Sequence, residues 1–264
     1  MIIEDVRFRE DGGVLKTTLD KTPFNVQGGK AVLELLSRMH SLYWKAPPED
    51  IWSHSVTTGH PSPYTPPYLR LLGEIGMWRV LNKFQSKLTI YPDVVEAFKI
   101  ASANYSMLRK FWSTGPLTMV HGDAHTGNMF FSKDFTKVGV FDYQCVAIEH
   151  FMRDVSYYLI NSCPDSELEQ IEQDMIQFHL NKLKDEMMKT GKEKYVNDIP
   201  SYQEAYFLYR SHSMWVFIAW VICCGFADVV LEEFALGSLQ RVMNTCHRLN
   251  VLEAVKISLS VDRS

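Results

Sequence analysis

The sequence contains no CxxC pair, and its five cysteines are an odd number, so it predicts free thiols in a reducing compartment rather than a disulfide framework. It also lacks a basic excess. Lys and Arg number 27 against 31 Asp and Glu, for a net charge of −4, which argues against a dedicated nucleic-acid binder. The first residues, MIIEDVRFRE, lack the basic stretch and apolar core of a signal peptide. The longest apolar run, Met214 to Ala227, has 14 residues. A bilayer span needs about 20, so this run predicts a buried core helix and no membrane partner. There is no internal repeat and no low-complexity tail. The cytoplasm is the expected location.

What is present suits one sizeable core. The 264 residues are 46% hydrophobic and 22% charged. A strand-like start is followed by a turn at REDGG. Val32, Leu35, Leu36, Met39 and Tyr43 recur at helical spacing between Gly29 and Trp44. Residues 45–68 hold six prolines and predict a long loop. Helices are predicted over 69–84 and 91–112, with Pro92 in a first turn. The strands LTMV (117–120), MFFS (129–132) and VGVFDYQ (138–144) come next. A long amphipathic helix follows to Lys189, capped by Asp165 or Ser166. Two more helices are predicted over 200–225 and 228–259. The expected class is α+β, mainly helical with a small β insert.

That insert carries the chemistry. In HGDAHTGNMFF, Asp123 and Asn128 stand at D-x-x-x-x-N spacing, and Asp142 ends a strand 14 residues after Asn128. Phosphoryl transfer from ATP uses these residue types. One carboxylate orients the acceptor hydroxyl and takes its proton, while an amide oxygen and a second carboxylate hold Mg²⁺ against the phosphates. Mg²⁺ needs few protein oxygens, because waters and phosphates complete its shell. His121, Asp123 and His125 also spell HxDxH, a pattern suited to zinc or iron hydrolases. The remaining histidines are scattered, however, and that reading leaves Asn128 and Asp142 without roles.

The segments VHGDAHTGNMFF, VGVFDYQ and RDVSYYL resemble the catalytic region of the aminoglycoside phosphotransferase and choline kinase superfamily. FDYQ and RDVSYYL are most similar to its ecdysteroid-kinase-like branch. The resemblance implies a protein-kinase-like large lobe as a single domain over 1–264. Within it, 1–8 is a hinge strand, 117–144 the catalytic and metal-binding segment, and 153–264 a helical C-terminal part. It implies ATP and Mg²⁺ as cofactors and a small hydroxylated metabolite as acceptor. It makes Asp123 the base, Asn128 and Asp142 the metal ligands, and His121 the brace of the loop. It gives His125 no role. It makes Asp154 a support from the following helix, although an Asp at a helix start is also expected simply as a cap. Glu4 and Val6, in the hinge-like IIEDV, would meet adenine through their backbone. LLSRMHSLYW resembles the helix after the hinge.

The pattern departs from the family at its start. A small lobe with a nucleotide-covering loop and a lysine is expected before the hinge, and this sequence begins at the hinge. QGGKA is no Walker A loop, because Phe24 stands at the first glycine position and Ala31 follows the lysine. The expectation is therefore a large lobe without its small lobe, not active alone. The alternative of another class is a non-catalytic binding or regulatory module. Cys223 and Cys224 are expected to pack inside a helix, as are Trp215, Phe217 and Trp220.

Overall fold

The computed structural model describes residues 14–16, 24–46, 68–226 and 232–261. Glu4 and Val6 lie outside the described residues, as do the REDGG turn and most of the proline-rich loop. The elements in chain order are β1 (Val14–Lys16), α1 (Val26–Leu42), α2 (Tyr68–Phe84), α3 (Pro92–Ala103), α4 (Tyr105–Trp112), β2 (Leu117–Val120), β3 (Met129–Ser132), β4 (Val138–Val140), β5 (Ala147–His150), α5 (Met152–Ser162), α6 (Asp165–Lys189), α7 (Tyr202–Phe226), α8 (Glu232–Arg248) and α9 (Val251–Val261). The molecule is mainly helical with a small β part, compatible with a kinase-like fold.

The β insert is two sheets rather than one. β1, β3 and β4 form an antiparallel sheet in that order, with Leu15 opposite Phe131 and Phe130 opposite Gly139. β2 and β5 form a separate antiparallel pair, with Val120 opposite Ala147. The chain crosses between the sheets twice, at 121–128 and again at 141–146. The two crossings run side by side, and they carry every candidate residue of the motif.

Helix α1 starts because Asn25 caps it, its side chain accepting the Gly28 amide at 3.0 Å. Val32, Leu33 and Leu36 line its buried stripe. They pack on α6, whose own stripe includes Leu168, Ile176 and Leu183. At the centre, α7 is buried on nearly every side from Ser211 to Val221. Its length and apolarity would suffice to cross a bilayer, yet 67% of that window is buried inside the protein. Trp215, Phe217 and Trp220 belong to this core, as expected. Helices α2 and α7 approach closely at a glycine pair. A Cβ on Gly225 would lie 2.6 Å from Gly76 Cα.

Several expectations need correction. The helix predicted over 91–112 is two, because Asn104 leaves the helical region at ψ 26° and its amide donates back to the Ile100 carbonyl. The helix predicted over 228–259 breaks at Asn250, which adopts φ 49°, a left-handed conformation asparagine tolerates. Asp165 does not cap α6. Pro164 holds that position without a side-chain bond, and Asp165 instead accepts from Thr245 Oγ1 at 3.0 Å. The strand VGVFDYQ ends at Val140. Cys224 is buried as expected, but Cys223 is exposed.

Candidate active site

Strand β2 leads into the first crossing at His121. Gly122 turns the chain there with φ +81°, and a Cβ on it would fall 2.0 Å from the Cys145 carbonyl oxygen. Only glycine fits both the angle and the approach. The second crossing therefore lies directly against the first.

His121 is fully buried and braces the two crossings. Its Nε2 donates to the Phe141 carbonyl at 2.9 Å, and its Nδ1 accepts the Asp123 amide at 3.3 Å. Both ring nitrogens are occupied, so His121 has none to offer a metal. The HxDxH hydrolase reading fails on that geometry. Among the described residues, no group of three or more His, Cys, Asp and Glu gathers to hold a metal. A zinc or iron centre would need such a group.

Asp123 keeps 22% of its side chain exposed, so it can meet a substrate. Its Oδ2 accepts from Asn128 Nδ2 at 3.0 Å and lies 3.5 Å from His125 Nε2. Burial pushes the carboxyl up, but His125, Tyr157 and Asn128 hold it below its ordinary value of 3.8. It is ionised at neutral pH and can accept a bond from a hydroxyl.

Asn128 is buried and spends its Nδ2 twice on Asp123, on the carboxylate and on the main-chain oxygen, each at 3.0 Å. The amide oxygen is thereby turned away from Asp123. The Phe141 amide donates to the Asn128 carbonyl at 3.0 Å, extending the β3–β4 ladder by one step. Asp142 is the next residue. It is exposed and makes no hydrogen bond or ion pair among the described residues. Its backbone is left-handed at φ 64°, ψ 63°. Such an angle costs roughly 1–3 kcal/mol and is typical of functional turns. The Asn128 amide oxygen and the Asp142 carboxylate are two hard donors at one end of the hairpin. They fit a Mg²⁺ ion that draws its other ligands from phosphates and water.

Asp154 is fully buried in the first turn of α5 and caps the loop instead of its own helix. Its Oδ2 accepts the His121 amide at 2.7 Å, and its Oδ1 accepts the Gly122 amide at 2.9 Å. Burial raises this carboxyl, but His40, His121 and Gly122 outweigh it and hold the value below 3.8. At the other end of α5, Ser162 Oγ accepts the Thr126 amide at 3.1 Å. One helix thus pins both sides of the loop.

Residues 10–187 match the phosphotransferase enzyme family. The chain belongs to that family. A search of the curated proteins returns no match. In this phosphotransferase family member, His121, Asp123, Asn128, Asp142 and Asp154 all converge on the paired crossings. Three participants have no role in the sequence reading. His125 is no bystander. Its Nδ1 accepts the Gly127 amide at 3.0 Å and its Nε2 faces Asp123. Tyr157 bonds to Asp123 from α5. His40 meets Asp154 from α1 at 3.2 Å. Its signal was a polar residue on an apolar stripe, four positions after Leu36.

Proposed function

We propose that this phosphotransferase moves the γ-phosphoryl group of ATP, as its Mg²⁺ complex, to a hydroxyl of a small metabolite. The single supporting observation is the pairing of Asp123 with Asn128. One carboxylate oxygen is held by the amide nitrogen, so the amide oxygen is left for a cation next to Asp142. In this reading Asp123 orients the acceptor hydroxyl and receives its proton. Asn128 and Asp142 are the residues that would hold Mg²⁺, which supplies neutralisation of the phosphate charge. His121 and Asp154 keep the backbone of the loop in place. No covalent enzyme intermediate is involved. The motif similarity favours the ecdysteroid-kinase-like branch of the superfamily.

One observation favours a second reading, a binding module without turnover. Gly28 and Gly29 of QGGKA form the first turn of α1, and they pack against Phe131, Phe135, Phe24 and Met175. That segment cannot cover a phosphate.

Two measurements on the full chain separate the readings. Mg·ATP at millimolar concentration raises the melting temperature in either case, and Asp142→Ala removes the shift. Transfer of labelled γ-phosphate to a panel of hydroxylated small molecules occurs only in the first. No shift with Mg·ATP would overturn both.

A further inference from the structure

Helix α2 has two apolar faces, and the core uses only one of them. Gly73, Gly76, Met77, Val80 and Phe84 form its buried face. A Cβ on Gly76 would fall 2.9 Å from the Val221 carbonyl oxygen, and one on Gly73 would fall 3.3 Å from the Phe98 ring. The glycines let α2 press onto α7 and α3, and no larger side chain can turn into their place. The rotation of the helix is thereby fixed, and with it the residues that point away from the core.

Those residues are apolar too. Leu71, Ile75 and Trp78 stand at i, i+4 and i+7, which places them on one stripe. They are 56%, 36% and 65% exposed. Trp78 is the most exposed large hydrophobic residue among the described residues. Phe226, at the end of α7, is also exposed and lies under the Arg79 guanidinium, 4.9 Å from it, at the edge of this face.

The stripe sits in a basic setting. From Tyr68 to Leu88 four basic residues accompany one acidic residue, in a chain whose net charge is −4. Glu74 is paired with Arg70 at 2.9 Å, and Lys87 is paired with Glu232. Arg79 and Lys83 remain. Arg79 donates to the Gly225 carbonyl at 3.1 Å, and the Lys83 ammonium lies 5.0 Å from the Phe84 ring. Neither makes an ion pair among the described residues. Two cations on apolar stems therefore accompany the exposed Leu, Ile and Trp side chains.

We propose that the outer face of α2 seats the protein on a lipid surface with anionic headgroups, Leu71, Ile75 and Trp78 entering the acyl boundary while Arg79 and Lys83 stay at headgroup level. Tryptophan suits that boundary, because its ring is apolar and its N–H polar. The expected absence of a membrane partner concerns a span, and a helix lying in the interface needs none. A second copy of the chain fits the face less well. The three side chains offer on the order of 300 Å² of apolar surface, the size of an interaction patch, against about 800 Å² per partner in a stable dimer. Nothing in this contact depends on the catalytic loop.

The test is sedimentation of the full chain with vesicles of phosphatidylcholine alone or mixed with phosphatidylserine, without ATP. The mixed vesicles bind the wild type about tenfold or more tightly than the neutral ones, as two unpaired cations predict. Trp78→Ser weakens binding to the mixed vesicles about tenfold or more. Lys83→Gln weakens it about fivefold and leaves binding to the neutral vesicles unchanged. Met188→Ser, which removes a comparably exposed apolar side chain from α6, stays within about twofold of wild type. All three positions are on the surface, so the variants fold. Tryptophan emission of the wild type moves to the blue on the mixed vesicles and that of W78S does not, because Trp44, Trp112, Trp215 and Trp220 are already buried. No binding to the mixed vesicles, equal binding to both kinds, or a W78S variant that binds like wild type would each overturn the proposal. So would a loss in M188S as large as that in W78S, which marks non-specific adhesion, or a wild-type dimer in sedimentation velocity that W78S dissolves, which marks a contact between copies.

Discussion

Three buried histidines should make this fold acid-sensitive well above the range of its carboxylates. Burial pushes His150 and His179 down to about 3 and His212 to about 4, from 6.5. Each is neutral in the folded state and each ring has one nitrogen engaged. His150 Nδ1 accepts the Met152 amide at 3.2 Å, while His179 Nδ1 meets the Leu33 carbonyl at 3.1 Å and His212 Nδ1 the Leu208 carbonyl at 2.8 Å. Above pH 6.5 neither state binds an extra proton at these sites. As pH falls below that value, the unfolded chain takes up protons that the folded chain refuses, so stability drops. The loss continues until the folded values near 3 and 4 are reached. From pH 7 to 5 each histidine removes about 2 kcal/mol, and the three together about 6. A domain of this kind has a total of about 5–15 kcal/mol to lose. Asp123 and Asp154, held below 3.8, add their share only further into acid, as pH falls through 3.8 and below. Urea melts from pH 7.5 to 4.5 measure the effect. The slope of unfolding free energy near pH 5 should correspond to about three protons, and His212→Phe should reduce it by about one. A slope below one proton would mean that these rings are charged, or hydrated, in the folded state, and would refute the reasoning.

Three further outcomes are expected. Gly122→Ala must adopt φ +81° and move its Cβ off the Cys145 carbonyl, so the urea midpoint should fall by an amount worth about 2–4 kcal/mol. Asp154→Asn turns an N–H toward donors that now meet a carboxylate, and calorimetry should show a loss of about 2–3 kcal/mol together with weaker phosphoryl transfer. Glu172 is 2% exposed and binds Arg248 at 2.7 and 2.8 Å and Tyr209 at 3.0 Å, so Glu172→Leu should cost about 3–5 kcal/mol, and adding Arg248→Met should recover a measurable part of it in thermal melts.

Elements whose signal is local were legible in the sequence. The strand LTMV alternates two pleat faces, and the residues Val32, Leu36 and His40 repeat with the helix. Those periods survive any tertiary arrangement. The errors fall where a single polar residue decides. Asn104 and Asn250 interrupt runs that are periodic on both sides, and periodicity does not register a break that keeps the apolar face in phase. β5 has no local signal, because AIEH has neither a strong strand composition nor a turn signal. It exists because β2 offers an edge, with Thr118 opposite Glu149.

The site divides the same way. Asp123, Asn128 and Asp142 stand out as candidates because their spacing is a property of the chain alone. Of their supports, the family resemblance points to His121 and Asp154, whereas His40, His125 and Tyr157 carry no such signal, because only the fold brings them to their partners. Asp154 is 33 residues from His121, and His40 is 114 from Asp154. A carboxylate at a helix start is explained by capping until its partners are seen, and a histidine on an apolar stripe is explained by packing. The backbone makes the distinction. Two amides of a glycine turn point inward at His121 and Gly122, where no ladder or helix can satisfy them, and an unpaired buried amide is too costly to persist. A turn of this kind therefore requires an acceptor from elsewhere in the chain. That acceptor, once buried as a carboxylate, requires a further donor of its own, and α1 supplies it through His40.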